Sequence, residues 1–263
     1  MAKSPLKMKV DKTPQRIQRM FGQIAPKYDF LNHFLSLGID YSWRRKTVKR
    51  VLSQLKTDPK GFDLPILDVA TGTGDLAIEF VRQIERAERV KRTQQSSKIR
   101  VLGVDFSKPM LKIAQQKLEK KGLESQIQLM FGDGLALPFD ADSFAAVSMA
   151  FGLRNMSDID LAITEMIRVC RPNGKIAILE FTMPTFPIFS ALYRFYFRTF
   201  LPKFGEFIAR NKDSAYQYLP QSISEFDSQE KIKSRLEKAG LINVQSYSMT
   251  LGTVALYLAE KKS

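Results

Sequence analysis

Short apolar runs recur through the middle of the chain, and most of them are rich in β-branched residues. None has the strict alternation of polar and apolar positions that marks a half-exposed strand. Such runs are typical of strands that are buried on both faces. The predicted strands are PILDVA (65–70), IRVLGVD (99–105), IQLMFGD (127–133), FAAVSMAF (144–151) and KIAILEF (175–181).

Helical patterns of apolar residues lie between most of these strands. LAIEFVRQIERA follows the first strand, KPMLKIAQQKLEKK follows the second, and DIDLAITEMIRVC precedes the fifth. Ser107 and Ser157 stand where the N-caps of the latter two helices are expected. Because strands that alternate with helices form right-handed βαβ units, we predict an α/β fold with a doubly wound, mostly parallel sheet.

The N-terminal part of the chain departs from this alternation. Residues 13–56 read as helices without an intervening strand, and we expect them to form a cap on the sheet. Asp40 is the expected N-cap of the segment YSWRRKTVKRVLSQL, and Pro59-Lys60-Gly61 is its expected end.

The C-terminal part departs from it too. A helix over 228–239 is followed by two strand patterns, Val244–Met249 and Thr253–Ala259, on either side of Thr250-Leu251-Gly252. Two short strands around such a turn predict an antiparallel hairpin at the end of the sheet.

Length and composition agree with one domain over residues 1–263. Hydrophobic residues make up 44% of the chain, which is enough for a large core and excludes a disordered protein. One cysteine, Cys170, and one histidine, His33, are too few for a zinc site, so we expect no structural metal. No run of about 18 apolar residues occurs, and we expect a cytoplasmic protein that does not span a membrane.

The chain is strongly basic, with a formal net charge of +14 from 41 Lys and Arg against 27 Asp and Glu. Such a field attracts nucleic acid, anionic lipid or acidic proteins, and charge alone does not choose among them. Part of the excess lies at 44–50 and in the stretch 85–98. Both are equally compatible with plain solvated surface, and no role is assigned to 85–98.

The most informative motif is LDVATGTGDL (67–76), in which a predicted strand runs into a glycine turn and a helix. Gly72 and Gly74 fit the G-x-G-x-x-A pattern of dinucleotide-binding loops. Asp68 and Asp75 bracket the turn, however, and two carboxylates would repel a pyrophosphate. S-adenosylmethionine carries a sulfonium and an ammonium group and no phosphate, so the charges favour this cofactor. The alternative is a glycine turn with capping acids and no ligand.

Two further acids end the next two strands. Asp105, followed by Phe106, stands where nucleotide-binding folds place a carboxylate for ribose hydroxyls. Asp133 is placed to accept from an adenine amino group, while Gly134 lets the backbone approach the ring. Each acid alone could be a strand-end cap. Acids at three successive strand ends favour a common ligand, because ligands in such sheets bind at the carboxyl ends of the strands.

Five motifs spread over the chain are distinctive when they occur together. They are F-x-x-I-A-x-K-Y-D-F-L-N-H-F-L-S-L-G-I-D-x-x-W-R (21–44), D-V-A-T-G-T-G-D (68–75), L-P-F (137–139), F-G-L-R-N (151–155) and L-E-F (179–181). With these motifs the chain resembles the ubiquinone/menaquinone biosynthesis C-methyltransferases over nearly its whole length. The resemblance implies a Rossmann-like class I methyltransferase sheet and S-adenosylmethionine as cofactor, with contacts at Thr73, Asp105 and Asp133-Gly134. It also implies C-methylation of a prenylated quinol, either demethylmenaquinol or the benzoquinol of the ubiquinone pathway.

The chain departs from this family at two positions. Ala150 stands where some relatives have serine before F-G-L-R-N, so any side-chain contact made there is absent. Asn173 replaces the first glycine of the usual P-G-G turn.

The implied reaction needs a group that activates the ring, because ring carbon is a poor nucleophile until a neighbouring hydroxyl ionises. Arg154, beside Asn155, is our candidate for stabilising the phenolate, since arginine keeps its charge. A surface ion pair is the alternative for Arg154. Tyr28 and His33 lie on one helical stretch and are the further candidates, as a hydrogen-bonding hydroxyl and as a base. His33 could equally be a capping or core group, and Trp43 is expected to be packing.

The segment 186–209 is unusually aromatic and has apolar residues at helical spacing, within a predicted helical insertion over about 184–222. A helix buried against the sheet edge is one interpretation. The other is an interfacial lid that contacts anionic membrane and collects the prenylated quinol. No nucleic acid is expected, because that partner calls for aromatic and basic residues interleaved along a groove. A methyltransferase for another lipophilic acceptor and a nucleic-acid-binding protein on this fold are the alternatives.

Overall fold

A computed structural model describes residues 11–58, 63–91, 100–184 and 215–263. Seven α-helices lie in these ranges, together with 3-10 turns at Leu153–Asn155 and Thr250–Gly252. The helices are α1 (Pro14–Leu35), α2 (Ile39–Lys56), α3 (Asp75–Lys91), α4 (Lys108–Lys121), α5 (Ile159–Val169), α6 (Ala215–Glu225) and α7 (Gln229–Lys238). The strands are β1 (Ile66–Val69), β2 (Val101–Asp105), β3 (Ile127–Phe131), β4 (Phe144–Ala150), β5 (Cys170–Phe181), β6 (Leu241–Met249) and β7 (Val254–Lys261).

The strands form one seven-stranded sheet in the order β3-β2-β1-β4-β5-β7-β6. β1 to β5 are parallel to one another, whereas β7 is antiparallel to both β5 and β6. The predicted parallel sheet and the predicted C-terminal hairpin are therefore both confirmed. The strand order reverses between β1 and β4, which makes the carboxyl ends of these strands the expected place for a ligand.

Several details of the predicted elements are wrong. Asp40 lies inside the first turn of α2, whose N-cap is Gly38 with a left-handed backbone. Asp158 rather than Ser157 caps α5, because its carboxylate is the group that accepts from the backbone N–H of Leu161. β5 begins at Cys170, before its predicted start.

Packing on both faces of the sheet explains the apolar strands. All four residues of β1 are buried, as are all but the last residue of β4. The prediction that Trp43 packs in the interior is confirmed: it is 5% exposed, contacts the rings of Phe151 and Phe181, and donates from Nε1 to Thr250 Oγ1 at 2.8 Å. α2 is thereby fixed against the sheet.

The N-terminal cap lies over the carboxyl ends of the strands. α1 packs on α4, and Gln18 Nε2 donates to the carbonyl oxygen of Phe106 at 2.6 Å, just after β2. The aromatic segment 186–209 and most of the predicted insertion over 184–222 lie outside the described residues. Within the described ranges, no helix has both the length and the apolar character needed to cross a membrane.

Candidate active site

A cavity that is open to solvent lies at the carboxyl ends of β1 to β4. α1 covers it with apolar side chains and forms its roof. The carboxyl ends of parallel strands are the usual place for a ligand in such a sheet. The residues that follow the four strands and face the cavity are Ala70, Gly72, Asp105, Phe106, Ser107, Gly132, Asp133, Gly134, Leu135, Phe151 and Gly152.

Two residues in this wall have an unusual backbone. Ala70 follows β1 with φ +54° and Phe151 follows β4 with φ +59°. The left-handed region is costly for a residue with a side chain, by about 1–3 kcal/mol, and such strain collects at functional sites. A Cβ on Gly152 would lie 2.8 Å from Ala70 Cβ, so the two chain segments meet too closely for a larger residue there.

Asp105 lies at the bottom of the cavity and is almost fully buried. Its carboxylate accepts from the backbone N–H groups of Gly72 and Ser107, each at 2.8 Å. Burial raises its pKa to about 6 in spite of these donors. A carboxylate has roughly four acceptor positions, so Asp105 can still accept from the hydroxyls of a ribose.

The remaining cofactor candidates in the wall fit an adenosine group. At Gly72, with φ +58°, an added Cβ would meet no protein atom within 4 Å, so a side chain would occupy cavity space instead. Gly134 is packed so closely that an added Cβ would lie 3.0 Å from Met156 Cε. Asp133 is exposed at the rim and holds its loop by accepting from the N–H of Leu135 at 2.9 Å. These residues and Asp105 fit S-adenosylmethionine.

Asp68 and Asp75, whose charges suggested the cofactor, lie outside the cavity wall. Asp68 is buried and accepts from Thr71 Oγ1 at 2.7 Å and Ser148 Oγ at 3.3 Å, and burial raises its pKa to about 7. Asp75 forms an ion pair with Lys117 and lies 3.8 Å from Arg44. Neither carboxylate lines the cavity, and each has a partner in the protein, so their attraction of a cationic ligand stays a prediction.

Thr73 and Gly74 also point away from the cavity. Thr73 Oγ1 donates to Asp29 Oδ1 at 2.5 Å, and Lys117 Nζ donates to Thr73 Oγ1 at 3.2 Å and to Asp29 Oδ2 at 2.9 Å. This cap-to-loop network, Asp29, Thr73, Asp75 and Lys117, joins α1 and α4 to the glycine turn. Gly74, with φ +82°, packs against α4.

Two of the four catalytic candidates, Tyr28 and Asn155, line the cavity. Burial raises the pKa of Tyr28, whose hydroxyl is hydrogen-bonded to the side chain of Asn32. Asn155 Oδ1 accepts from the hydroxyl of Tyr218 at 2.9 Å, and burial raises the pKa of Tyr218 to about 12. Both tyrosines are thus hydrogen-bonding groups and not bases. Sequence reasoning missed Tyr218, which carries no motif.

Arg154 stands behind the cavity wall and is 4% exposed. Its Nη1 donates to Glu180 Oε1 at 2.6 Å and to the carbonyl oxygen of Phe151 at 2.8 Å, while Glu180 Oε2 accepts from the N–H of Arg154 at 3.1 Å. Arg154 therefore does not line the cavity, and its contact with a phenolate stays a prediction. Of the alternatives, the structure contains an ion pair, although this one is buried and not at the surface.

His33 also lies away from the cavity wall. Its Nδ1 is 2.7 Å from Asp40 Oδ2, and its ring stacks on Tyr41 with 4.2 Å between centroids. These contacts hold the junction of α1 and α2. The geometry thus favours the capping interpretation of His33 over a catalytic base.

Lys12 carries the only basic side chain among the described residues of the wall, and sequence reasoning missed it. It is partly buried just before α1, and burial lowers its pKa. The charged groups that act on it are Glu225, Arg154, Glu180 and Asp227. All four belong to the β4–β5 side of the cavity or to α6 and the turn after it.

Comparisons with known proteins agree with this geometry. The model of the ubiE/COQ5 methyltransferase family matches residues 8–261. The chain is 40% identical over 253 residues to the ubiquinone/menaquinone biosynthesis C-methyltransferase UbiE of Geotalea daltonii, covering 96% of this chain and 99% of that one. It is 40% identical over 242 residues to the demethylmenaquinone methyltransferase of Thermus thermophilus, covering 92% and 100%.

Solved structures share the fold. One is a methyltransferase of Thermotoga maritima, described as S-adenosylmethionine-dependent and a possible histamine N-methyltransferase. It superposes with a TM-score of 0.58 over 94% of this chain and 100% of that chain, at 17% identity. At this identity the likeness concerns the fold alone.

Proposed function

The chain belongs to the ubiE/COQ5 methyltransferase family, and we propose that it transfers a methyl group from S-adenosylmethionine to a ring carbon of a prenylated quinol. The observation that carries the proposal is the cavity at the carboxyl ends of the strands, with Asp105 and Gly72 on its floor. The family model matches residues 8–261 of the same chain. Relatives named for ubiquinone/menaquinone and for demethylmenaquinone support a benzoquinol or a naphthoquinol as acceptor.

The cofactor is held by the β2–β3 half of the cavity in this proposal. Asp105 accepts from the ribose hydroxyls, and Asp133 and Gly134 lie against the adenine. S-adenosylmethionine supplies an electrophilic methyl group on a sulfonium, which is an excellent leaving group. The protein therefore has to align the acceptor and exclude water. The apolar roof, with Ile17 and Phe21, serves the second purpose.

The acceptor occupies the β4 side, and Lys12 is the cation that faces it. The carboxyl ends of β2 and β5 are separated by two strands, so at about 4.8 Å per strand they lie roughly 14 Å apart. Two of the charged groups that act on Lys12, Arg154 and Glu180, are on the β4–β5 side, which is the far side from Asp105. An ammonium there lowers the pKa of a quinol hydroxyl, normally about 10, and so promotes ionisation of the ring oxygen.

Arg154 and Glu180 act indirectly in this mechanism, as positioning residues. Their ion pair and the bond from Arg154 to Phe151 fix the 3-10 turn that carries Asn155 into the cavity. Asn155 in turn holds Tyr218, since its Oδ1 accepts from the tyrosine hydroxyl. Tyr28 and Asn155 line the cavity and can form hydrogen bonds with a quinol oxygen.

The test of this function is a reconstituted reaction. Purified protein, S-adenosylmethionine and demethylmenaquinol with a short prenyl tail are incubated, and mass spectrometry follows the gain of one methyl group on the ring. A parallel reaction uses the benzoquinol. Absence of methylation of both quinols, with the cofactor bound, would overturn the proposal. The quinone pool of cells with and without the protein gives the same comparison in vivo.

We further propose peripheral contact with anionic membrane. The acceptor is lipophilic, and the net charge of +14 favours an anionic surface. The aromatic segment 186–209, on which this expectation first rested, is outside the described residues. The described part of the chain has another exposed apolar surface, within residues 30–41.

A further inference from the structure

Large exposed apolar side chains are concentrated at one place in the described part of the chain. Nine such side chains are exposed, and five of them fall within residues 30–41, which we call the apolar turn. A contiguous apolar patch at the surface usually marks an interaction site, whereas scattered ones need no explanation. The five are Phe30 (61% exposed), Phe34 (45%), Leu37 (83%), Ile39 (40%) and Tyr41 (54%).

The tip of the apolar turn is strained and is not held by packing. Leu37 has φ +51°, in the left-handed region that leucine rarely adopts. Because its side chain is 83% exposed, core packing does not account for this conformation. Strain of this kind is a reason to look for a function of the residue.

Hydrogen bonds below the tip make the apolar turn rigid. Asp40 accepts from Ser36 Oγ at 2.7 Å and is paired with Arg44 and with His33, whose Nδ1 is 2.7 Å away. Burial of this carboxylate among donors therefore fixes the end of α1 to the start of α2. These bonds hold the backbone that carries the exposed leucine, so less backbone freedom is lost when the turn binds a partner.

Positive charge adjoins the apolar turn. Arg45, Lys46 and Lys49 are exposed on α2, about one to two turns beyond Tyr41. Apolar and aromatic side chains with basic residues beside them suit the headgroup boundary of an anionic bilayer. A water-soluble acidic partner would match the lysines but leave the apolar side chains exposed.

We propose that the apolar turn docks the enzyme on an anionic lipid bilayer, with Leu37 and its aromatic neighbours inserted at the headgroup boundary. The proposal rests on the proposed function in one respect: a prenylated quinol resides in lipid, so an enzyme docked there meets its acceptor at the surface. α1 connects the two sites, because it carries both Tyr28 of the cavity and Phe30 of the turn.

The experiment uses the full chain and vesicles of phosphatidylcholine with or without phosphatidylglycerol. Leu37→Asn is the test variant, since asparagine tolerates the left-handed backbone better than leucine does. We expect it to keep or raise the melting temperature and to weaken vesicle binding about tenfold or more, as for loss of one buried leucine. Binding of the wild type should need the anionic lipid and weaken with salt.

Leu161→Asn is the control. Leu161 is 43% exposed on α5, whose buried side chains pack in the core on one face of the sheet, whereas those of α2 pack in the core on the other face. We expect it to bind vesicles as the wild type does. Equal vesicle binding by Leu37→Asn and the wild type overturns the proposal, as does an equal loss in the control.

Two further measurements distinguish lipid docking from a failure of the proposed function and from dimer formation through the apolar turn. Methylation of a short-tailed quinol in detergent should be the same in Leu37→Asn and in the wild type, while methylation of a long-tailed quinol in vesicles should fall. If the wild type methylates neither quinol, the proposed function fails. The comparison of vesicle binding between Leu37→Asn and the wild type then still tests whether the apolar turn docks on lipid. A change from dimer to monomer in Leu37→Asn with unchanged vesicle binding identifies a second copy as the occupant and overturns the lipid.

Discussion

Thr73 Oγ1 donates a 2.5 Å hydrogen bond to Asp29 Oδ1, and this contact joins the roof of the cavity to the glycine turn on its floor. Lys117 bonds both residues and also Asp75. A side chain expected to contact the cofactor thus holds the cap instead. This cap-to-loop network therefore holds α1 over the glycine turn.

Lys117→Met should therefore loosen the cap. We expect a loss of about 1 kcal/mol in the free energy of unfolding, since the partners are partly exposed, together with weaker S-adenosylmethionine binding. Lys120→Met, an exposed lysine on the same helix, is the control and should change neither. Thermal unfolding and calorimetry measure the two effects. A normal cofactor affinity in Lys117→Met would show that the network does not govern the cavity.

Asp105 should make cofactor binding depend on pH. Its pKa is raised to about 6 in the folded protein, whereas an exposed aspartate titrates near 3.8. Ribose hydroxyls donate to the ionised form, so binding favours the carboxylate and affinity should fall as the pH drops below about 6, by at most about tenfold per pH unit. Calorimetry between pH 5 and pH 8, in roughly half-unit steps, measures this. Asp105→Ala should lose about 1–3 kcal/mol of binding and the pH dependence with it.

The same shift affects stability with the opposite sign from a salt-bridged acid. Because the folded pKa of Asp105 lies above the unfolded one, the folded state binds the proton more tightly. Its contribution to stability without ligand is therefore most favourable below pH 3.8 and is lost as the pH rises to about 6. Asp105→Asn, which stays neutral, should remove this part of the pH dependence. Unfolding of both proteins across this range without cofactor tests it.

Lys12→Met should lower the rate of quinol methylation at neutral pH by on the order of 10²-fold, as for loss of one preorganised charge. Cofactor affinity should stay the same. The gap to the wild type should narrow toward pH 10, because more of the quinol ionises unaided. Arg19→Met, which removes a charge from an exposed position on α1, should have a normal rate. A gap that is constant with pH would argue against a role in phenolate stabilisation.

Arg154→Ala should destabilise the fold by about 3–5 kcal/mol, since it leaves Glu180 buried without its partner. The double variant Arg154→Met with Glu180→Gln should recover part of this loss. Chemical denaturation of the single and double variants measures it. If Arg154→Ala keeps its full free energy of unfolding and only its rate of quinol methylation falls, the result would support the prediction that Arg154 stabilises the phenolate.

The sequence was sufficient for the sheet because burial on both faces leaves a mark on every strand. Apolar runs predicted β1 to β5, and the turn at 250–252 predicted the hairpin of β6 and β7. Strand-end positions likewise placed Asp105 and Asp133 in the cavity, since parallel strands all end at one edge. Strand burial and strand ends can be recognised from residues that are close together in the sequence.

Ion pairs between residues that are far apart in the sequence cannot be recognised in this way. Asp75 meets Lys117 from 42 residues away, and Arg154 meets Glu180 from 26 residues away. Nothing local distinguishes a carboxylate that is already paired from one that awaits a ligand. For the same reason Lys12 was not found: its role depends on the elements around it, and its own segment resembles ordinary basic surface.

Ala70 and Phe151 leave β1 and β4 with left-handed backbones, and with Gly72 they supply main-chain parts of the cavity floor, beside the side chain of Asp105. The roof is different, because it consists of side chains on α1. Main-chain atoms are present whatever side chain a position carries, so an exchange of side chains alters the roof more than the floor. The choice of acceptor can therefore diverge on this framework while the methyl-donor half, with Asp105, is kept.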